Sequence, residues 1–177
     1  VKNIYGIKEA TGSLERATAI ISQRENFFVF SGDDSVDFAM LASGAKGIIS
    51  VTSNLVPNLK SKLVSSVMSG DFQTALKIHN DLFELNKVLF CESNPIPIKA
   101  AMYLSGLLDS LEFRLPLTKP SNETLEKLKK ILKKYNKMSR KFPAGVATGS
   151  LVTEIFDYAK EKQFALPAAN VIGSSNI

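Results

Sequence analysis

Cysteine, histidine and tryptophan are nearly missing from this sequence. Its 177 residues contain one cysteine, one histidine and no tryptophan. A single cysteine cannot close an internal disulfide, which is typical of proteins in a reducing compartment, so we expect a cytoplasmic location. One histidine, His79, cannot supply the several side-chain ligands of a zinc site, so we expect no metal and no cofactor.

Long apolar runs and an initiator methionine are also missing. No run approaches the roughly 20 apolar residues that span a bilayer, so we expect no membrane partner. The sequence begins with Val1, from which we expect a shortened amino terminus. The hydrophobic fraction of 45% and the charged fraction of 22% are typical of a folded globular chain.

The net charge of +5 comes from one segment. Residues 122–141 contain eight of the chain's 22 basic residues and two of its 17 acidic residues. The rest of the chain therefore has 14 basic and 15 acidic residues, which is close to neutral. The basic residues are Lys127, Lys129, Lys130, Lys133, Lys134, Lys137, Arg140 and Lys141. Such a helix can bind phosphates, but a solvated outer face is the commoner explanation. We therefore expect no nucleic-acid partner.

Short apolar runs alternate with helical patterns in the first 51 residues. The runs at 4–8, 27–30 and 47–51 predict buried strands. Helical spacing after Ser13, a plausible N-cap, and around residues 36–42 predicts a helix in each gap. Apolar strands separated by helices indicate parallel βα units, and the predicted fold class is therefore α/β.

The remainder of the chain is predicted to be mostly helical. Pro116 and Pro120 make an irregular stretch of residues 112–120, and Ser121 is a plausible cap for the helix that follows. A polar, basic seam at 136–141 separates this region from a predicted helix at 149–162 and a strand at 165–172. The helices expected before the seam cover residues 57–68, 72–90, 97–107 and 121–135.

Lys8 ends the first predicted strand and is the leading candidate nucleophile. A lysine amine attacks a carbonyl only when neutral, and its ordinary pKa near 10.4 keeps it protonated at neutral pH. Partial burial at a strand end lowers the pKa of such an amine. The alternative interpretation is a lysine that only terminates the strand and pairs with an acid such as Glu9.

Five blocks of the sequence together resemble the dihydrodipicolinate synthase family. They keep the family's order and approximate spacing. The blocks are Gly6-Ile7-Lys8-Glu9-Ala10-Thr11-Gly12, Ser31-Gly32-Asp33-Asp34, Gly47-Ile48-Ile49-Ser50-Val51-Thr52, Asn94-Pro95-Ile96-Pro97-Ile98-Lys99 and Arg114-Leu115-Pro116-Leu117. The resemblance implies that residues 1–137 form part of a (β/α)8 TIM barrel, namely its last three βα units and the C-terminal helices.

The resemblance also implies a reaction and site residues. Lys8 would form a Schiff base with pyruvate, and the resulting enamine would add to aspartate semialdehyde in lysine biosynthesis. The backbone carbonyl of Ile49 would lie beside pyruvate, and Gly32 would face the same substrate-binding site. The family's relay tyrosine, carboxylate-binding threonines and substrate-binding arginine have no counterpart here, so we expect little activity from the chain alone. Open half-barrel edges make a homo-oligomer the expected state.

Residues 138–177 resemble a different family, the class II fructose-bisphosphate aldolases, at their amino terminus. Phe164-Ala165-Leu166-Pro167-Ala168-Ala169-Asn170 would be a first barrel strand, with Asn170 facing a sugar phosphate. Zinc would be expected only with the rest of that enzyme. The two resemblances predict two units, 1–137 and 138–177, in a gene fusion or a chimera. A non-catalytic remnant, and another pyruvate lyase of the N-acetylneuraminate lyase type, remain alternatives.

One pair of acids, the cysteine and the histidine carry further side chains that can form a site. Asp33-Asp34 suits a metal, although a helix cap or a strand-end turn is the commoner use of such a pair. Cys91 has no neighbouring base or second thiol in the sequence, which favours a packing role. We expect His79 to be a surface or packing residue as well.

Overall fold

A parallel β-sheet organises the computed structural model, which describes residues 4–23 and 26–135 and the backbone of 166–167. The strand order is sequential, and every pairing is parallel. The strands are β1 Gly6–Glu9, β2 Phe28–Ser31, β3 Gly47–Ser50 and β4 Leu166–Pro167. The helices are α1 Leu14–Gln23, α2 Asp37–Ala42, α3 Pro57–Met68, α4 Phe72–Leu89, α5 Ile96–Leu104 and α6 Asn122–Leu132.

The register of the sheet brings the ends of its first three strands to one edge. Lys8 lies opposite Phe30 in the β1–β2 pair, and Ser31 lies opposite Ile48 in the β2–β3 pair. Parallel strands end on the same side of a sheet, which is where α/β proteins assemble their sites. This edge is called the carboxyl edge below, and the loops that leave it carry the candidate site.

Local sequence signals explain where several helices begin. Ser13 and Ser121 accept hydrogen bonds from the backbone N–H groups of Arg16 and Thr124, at 3.1 and 3.2 Å, which confirms both predicted caps. Asp71 caps α4 in the same way, and Pro57 occupies the first turn of α3, where its missing N–H costs nothing.

Two apolar clusters stabilise the chain, and they differ in size. A small one lies between the first two helices and the sheet and contains the buried residues Ala17, Val29, Met40 and Ala45. The larger one joins β3 to helices α3–α6 and includes Leu63, Leu82, Leu89, Ala101 and Leu128. The C-terminal helices therefore hold most of the apolar core, and the sheet is anchored to them through β3.

The predicted α/β class and parallel strands are confirmed, and the six helices expected before residue 136 are all present. The expected helix at 149–162 and Asn170 lie outside the described residues, as does all but 166–167 of the strand at 165–172. In the described part of the chain, no helix has both the length and the apolar character needed to cross a bilayer.

We predict that Leu82→Ala lowers the free energy of unfolding by roughly 2–5 kcal/mol, because a fully buried leucine leaves a cavity when it is truncated. Leu76→Ala, on the same helix, is the matched control because Leu76 is 44% exposed. The control should change stability by no more than about 0.5 kcal/mol. Urea denaturation of both variants checks this, and equal losses would contradict the assignment of the core.

Candidate active site

Lys8 lies near the end of β1 on the carboxyl edge, as its place in the sequence predicted. Its side chain is exposed in the described part of the chain, so the expected partial burial is not observed. The physical reason is that β1 is the outer strand of the described sheet, with β2 on one side and no described strand on the other. Gly32, at the end of β2, adds no side chain beside the lysine.

Gly32 provides the surface on which the Lys8 side chain rests. A Cβ atom built on Gly32 would lie 2.5 Å from Lys8 Cε, 2.7 Å from Lys8 Cγ and 2.8 Å from the Ala10 Cβ. Carbon atoms do not approach so closely, so any side chain at position 32 would displace the lysine stem. The structure therefore brings Lys8 and Gly32 together, and glycine is the residue that allows their contact.

Glu9 is not the ionic partner of Lys8. Successive side chains of a strand point to opposite faces, and Glu9 is buried whereas Lys8 is exposed. Glu9 Oε1 accepts hydrogen bonds from the Thr11 backbone N–H and hydroxyl, at 3.2 and 2.7 Å, and lies 3.7 Å from Arg16 Nε. The carboxylate thus shapes the turn after β1, and a Lys8–Glu9 pair finds no support.

The two aspartates after β2 have separate roles. Asp33 Oδ1 accepts hydrogen bonds from the Ser35 backbone N–H and hydroxyl, at 2.9 and 2.6 Å, which makes the strand-end turn that the sequence suggested. Asp34 is buried and accepts from the backbone N–H groups of Val51 and Thr52, at 2.8 and 3.2 Å. It also accepts a short hydrogen bond from the Ser50 hydroxyl.

Asp34 lies in the predicted strand-end turn, but its carboxylate is neither a helix cap nor part of a metal-binding group among the described residues. The residue before α2 is Val36, which makes no side-chain cap, so Asp34 is not a helix cap. Among the described residues no group of three or more histidines, cysteines or acids could hold a metal ion. Asp34 instead joins the loop after β2 to the end of β3, a contact between residues 17 apart that no local pattern indicates.

Lys60 completes a buried ionic cluster. Its Nζ lies 2.7 Å from Asp34 Oδ1 and 2.5 Å from Asp37 Oδ2, and all three side chains are at most 2% exposed. We call these residues the Asp34–Lys60–Asp37 triad. Sequence analysis missed it, although Lys60 shares a helical face with the core residues Leu63, Val64 and Val67, a spacing that could have indicated its burial.

Burial and mutual charge set the ionisation of the triad. Burial raises the pKa of Asp37 to about 6 against the lowering effect of Lys60. Burial also opposes ionisation of Asp34, but the charge and hydrogen bond of Lys60 together with its other donors hold that pKa below its ordinary value. The pKa of Lys60 is raised because its two carboxylates outweigh its own burial. Lys60 is therefore a permanent cation at neutral pH.

Hydrogen bonds extend the triad to both strand ends and to α4. The Ser31 hydroxyl donates to Asp37 Oδ1 at 2.5 Å. The Thr52 hydroxyl donates to Asn86 Oδ1 at 2.7 Å, and Asn86 Nδ2 donates to the backbone carbonyl of Asp34 at 2.9 Å. Ile49 is half-buried and directly precedes Ser50, whose hydroxyl donates to Asp34. Its position therefore depends on the same network.

His79 and Cys91 stay outside the carboxyl edge. The His79 ring is half-buried, 5.9 Å from the Phe38 ring, and burial followed by the charge of Lys60 lowers its pKa. This agrees with the expected packing role. Cys91 is exposed, because it follows the end of α4, where the chain turns to the surface. Its expected packing role is limited to a contact between Sγ and Thr124 Oγ1, at 3.4 Å.

The lysine-rich helix α6 has an exposed charged face. Lys127 lies 2.6 Å from Glu123 Oε1 and Lys129 lies 2.7 Å from Glu126 Oε1, while Leu128 and Leu132 are buried on the opposite side. Lysines that already pair with acids on their own helix are typical of a solvated surface. The described part of α6 therefore favours the outer-face interpretation.

We predict that Asp37→Asn removes a pH dependence of stability. Because the folded pKa of Asp37, about 6, exceeds its ordinary value of 3.8, the folded chain gains stability from this group at low pH. That gain is lost as pH rises from about 4 through about 6. Between pH 4 and 7 the free energy of unfolding of the parent should therefore fall by on the order of 1–3 kcal/mol more than that of Asp37→Asn. Urea denaturation at several pH values measures both.

Asp109→Asn, which removes an exposed carboxyl outside the triad, is the control for loss of one acidic group. Parallel stability curves for the parent and Asp37→Asn over this range would contradict the raised pKa.

The first three quarters of the chain are similar to proteins of one family. Residues 1–135 match the model of the dihydrodipicolinate synthetase family. The 4-hydroxy-tetrahydrodipicolinate synthase of Aliarcobacter butzleri (strain RM4018) is 82% identical over 135 residues, which cover 76% of this chain and 46% of that protein. The chain thus spans about half the length of the curated relatives it matches.

Solved structures of the same name share the fold. The dihydrodipicolinate synthase of Aquifex aeolicus superposes with a TM-score of 0.73 at 46% identity, covering 76% of this chain and 46% of that one. The chloride-inhibited enzyme of Acinetobacter baumannii, complexed with pyruvate, superposes with a TM-score of 0.70 at 41% identity, covering 74% and 45%. Since the family model covers 135 of its 177 residues, the chain belongs to the dihydrodipicolinate synthetase family.

Proposed function

We propose that residues 1–137 are the C-terminal half of a pyruvate-dependent class I lyase, in which Lys8 forms the Schiff base. The observation that carries this proposal is the placement of Lys8, on a strand at the carboxyl edge with its stem across Gly32. The three parallel strands and the helices after them would be the last βα units and the C-terminal helices of a (β/α)8 barrel. Barrel enzymes keep their chemistry at this edge.

The proposed reaction balances around the lysine amine. The neutral Lys8 amine adds to the keto carbon of pyruvate, a C–N bond forms, and the keto oxygen leaves as water. The resulting iminium accepts the electron pair of a methyl C–H bond when that proton departs, which gives an enamine. The enamine carbon then bonds to the aldehyde carbon of aspartate semialdehyde, whose C=O π bond breaks and whose oxygen takes up a proton, while the iminium re-forms. Attack on that iminium by the substrate's own amine displaces the Lys8 amine and frees the product, on the route to lysine. No cofactor is needed, because the iminium itself is the electron sink.

Gly32 and Ile49 have supporting roles in this proposal. Gly32 leaves room for the lysine stem, and the backbone carbonyl of Ile49 lies beside the bound pyruvate. The groups that relay protons and bind the carboxylate of the substrate would come from the other half of a complete barrel. We expect the 177-residue chain alone to have little or no turnover, and Schiff-base formation is therefore the better test.

The turn after Lys8 favours this enzyme over an N-acetylneuraminate lyase type. Glu9 is buried beneath the turn and holds Thr11 through two hydrogen bonds. The Glu9-Ala10-Thr11-Gly12 segment is the part of the sequence that resembles the synthase rather than its relatives. Other pyruvate lyases of the superfamily remain the alternative, since the aldehyde-binding residues would belong to the other half.

We propose that residues 138–177 begin a second barrel of the class II aldolase type. The support is the sequence resemblance around Asn170, which would contact a sugar phosphate. In this proposal the chain joins parts of two barrels, as a gene fusion or a chimera does. A zinc site of that family would need histidines beyond this sequence, because the chain has only His79.

A non-catalytic remnant that self-associates is the second candidate. The observation that favours it is the outer edge of β1, with which no strand pairs in the described part of the chain. Ile4 and Tyr5, just before that strand, are 56% and 65% exposed. Unpaired strand edges with exposed apolar residues are sites of association.

We predict that pyruvate followed by borohydride leaves a stable adduct on Lys8. Intact mass and a peptide map should locate the adduct in the parent and in Lys46→Arg, whose lysine is exposed at the opposite end of β3. Lys8→Arg should lose it, because a guanidinium stays protonated and cannot form the imine. Adducts spread over surface lysines, or none, would leave the chain as a non-catalytic fragment.

Gly32→Ala should reduce the yield of the Lys8 adduct by at least about tenfold, because the new Cβ occupies the space of the lysine stem. The lysine stem can move aside, so we expect the free energy of unfolding to fall by less than about 3 kcal/mol. Thermal unfolding of the same samples separates the two effects. A normal adduct yield in Gly32→Ala would contradict the proposed placement of Lys8.

Sedimentation should show concentration-dependent association of the chain if the outer edge of β1 is an open barrel edge. Tyr5→Lys should weaken association, since charged residues protect strand edges. Tyr103→Lys is the matched control, because Tyr103 is also exposed but lies on α5. A monodisperse monomer at all concentrations would be evidence against self-association.

A further inference from the structure

Direct pairing between β2 and β3 ends before the site residues. The described register pairs Phe30 with Gly47 and Ser31 with Ile48, and no later pair is formed. Gly32 and Ile49 come immediately after the last of these pairs. Gly32 N–H still donates to the Glu9 carbonyl of β1 at 2.7 Å, and Ile49 pairs with Leu166 of β4. The β2–β3 ladder itself does not set the position of Gly32 relative to Ile49, which therefore depends on other contacts between these two strand ends.

Asp34 supplies those contacts from one side. Its carboxylate accepts from the Ser50 hydroxyl and from the backbone N–H groups of Val51 and Thr52. These three donors follow Ile49 directly in the sequence, and Asp34 is two residues after Gly32. A single buried carboxylate thus spans the gap between the two strand ends.

The carboxylate needs a counter-charge in order to do this. Asp34 and Asp37 are both buried, and each raises the free energy of ionising the other. In the described residues, Lys60 makes the ion pair with each of them. Asp37 also accepts from the Ser31 hydroxyl, so the triad contacts the ends of both strands and the helix α3.

Stability alone is a weak explanation for such a group. A buried ion pair often contributes no more than apolar residues of the same volume, since desolvation offsets its attraction. Apolar residues could anchor α3 just as well, but they could not accept three hydrogen bonds from the end of β3. Directional bonds, by contrast, fix relative positions.

We propose that Lys60, through the Asp34–Lys60–Asp37 triad, is a positioning residue that clamps the loop after β2 to the end of β3 and so places Gly32 and Ile49 around Lys8. The contacts of the described residues support the clamp itself. Its consequence for Lys8 rests on the proposed function.

Lys60→Met tests the clamp, with Lys62→Met as the matched control on the exposed face of the same helix. Hydrogen exchange followed by mass spectrometry should show that peptides covering 31–37 and 50–54 exchange at least about tenfold faster in Lys60→Met than in the parent. The exchange rate of α6 should change by less than about twofold. The Lys62→Met pattern should equal that of the parent.

A second variant keeps the test valid if Lys60→Met does not fold. Lys60→Met leaves two buried carboxylates without a cation, whereas the double variant Lys60→Met/Asp37→Asn leaves one, which keeps the three donors at the end of β3. Exchange in the double variant should therefore lie between the parent and Lys60→Met, still concentrated at 31–37 and 50–54.

Borohydride trapping on the same proteins separates the clamp from the proposed function. If the parent forms the Lys8 adduct, we expect the rate of adduct formation to fall at least about tenfold in Lys60→Met and by a smaller factor in the double variant. Lys62→Met should form the adduct at the rate of the parent. A parent without adduct, but with the expected local exchange, would reject the proposed function of this chain and leave the clamp supported.

Two results would overturn the inference. One is exchange that stays unchanged or rises uniformly along the chain in both Lys60 variants. The other is an unchanged rate of adduct formation in those variants when the parent reacts.

Discussion

The interaction on which the carboxyl edge depends is the buried contact of Lys60 with Asp34 and Asp37. Three ionisable side chains, each at most 2% exposed, meet at distances of 2.5–2.7 Å. Burying any one of these charges alone would cost free energy, because the group would lose its water. The two carboxylates and one ammonium together keep one excess negative charge, and hydroxyl and backbone N–H groups donate hydrogen bonds to it. Both strand ends and helix α3 converge on this point, so the candidate site and the packing of the helices share one set of contacts.

The distribution of the core explains why the edge needs such a connection. Most buried apolar residues lie among β3 and helices α3–α6, while the sheet beneath β1 and β2 has only the small cluster around Ala17 and Met40. Lys8 stands at the less densely packed end. Its exposure follows from that position and from the glycine beside it, and a complete barrel would bring further residues around its mouth. Residues 1–135 match the family model, and the chain spans about half the length of the curated relatives it matches.

Much of the fold followed from local chemistry. Apolar runs located the three main strands to within two residues, and prolines, glycines and serine caps located the helices, because these signals act over a few neighbouring residues. The same reasoning predicted the strand-end turn at Asp33-Asp34, which is present, but it gave no sign of the buried contacts that the Asp34 carboxylate makes. Its partners are 16–18 residues away in the next βα unit, and that distance is beyond any local pattern.

Lys60 shows most clearly what a local sequence pattern cannot predict. Its spacing from Leu63, Val64 and Val67 is compatible with a buried position, but a lysine on a helix is ordinarily solvated. Its burial becomes favourable only because two aspartates from other segments of the chain pair with it. The sequence by itself determined the α/β class, the strand that ends near Lys8 and the motifs of the family. The tertiary structure alone decided that Gly32 lies under the Lys8 stem and that one lysine joins two strand ends, since both depend on the approach of segments that are distant along the chain.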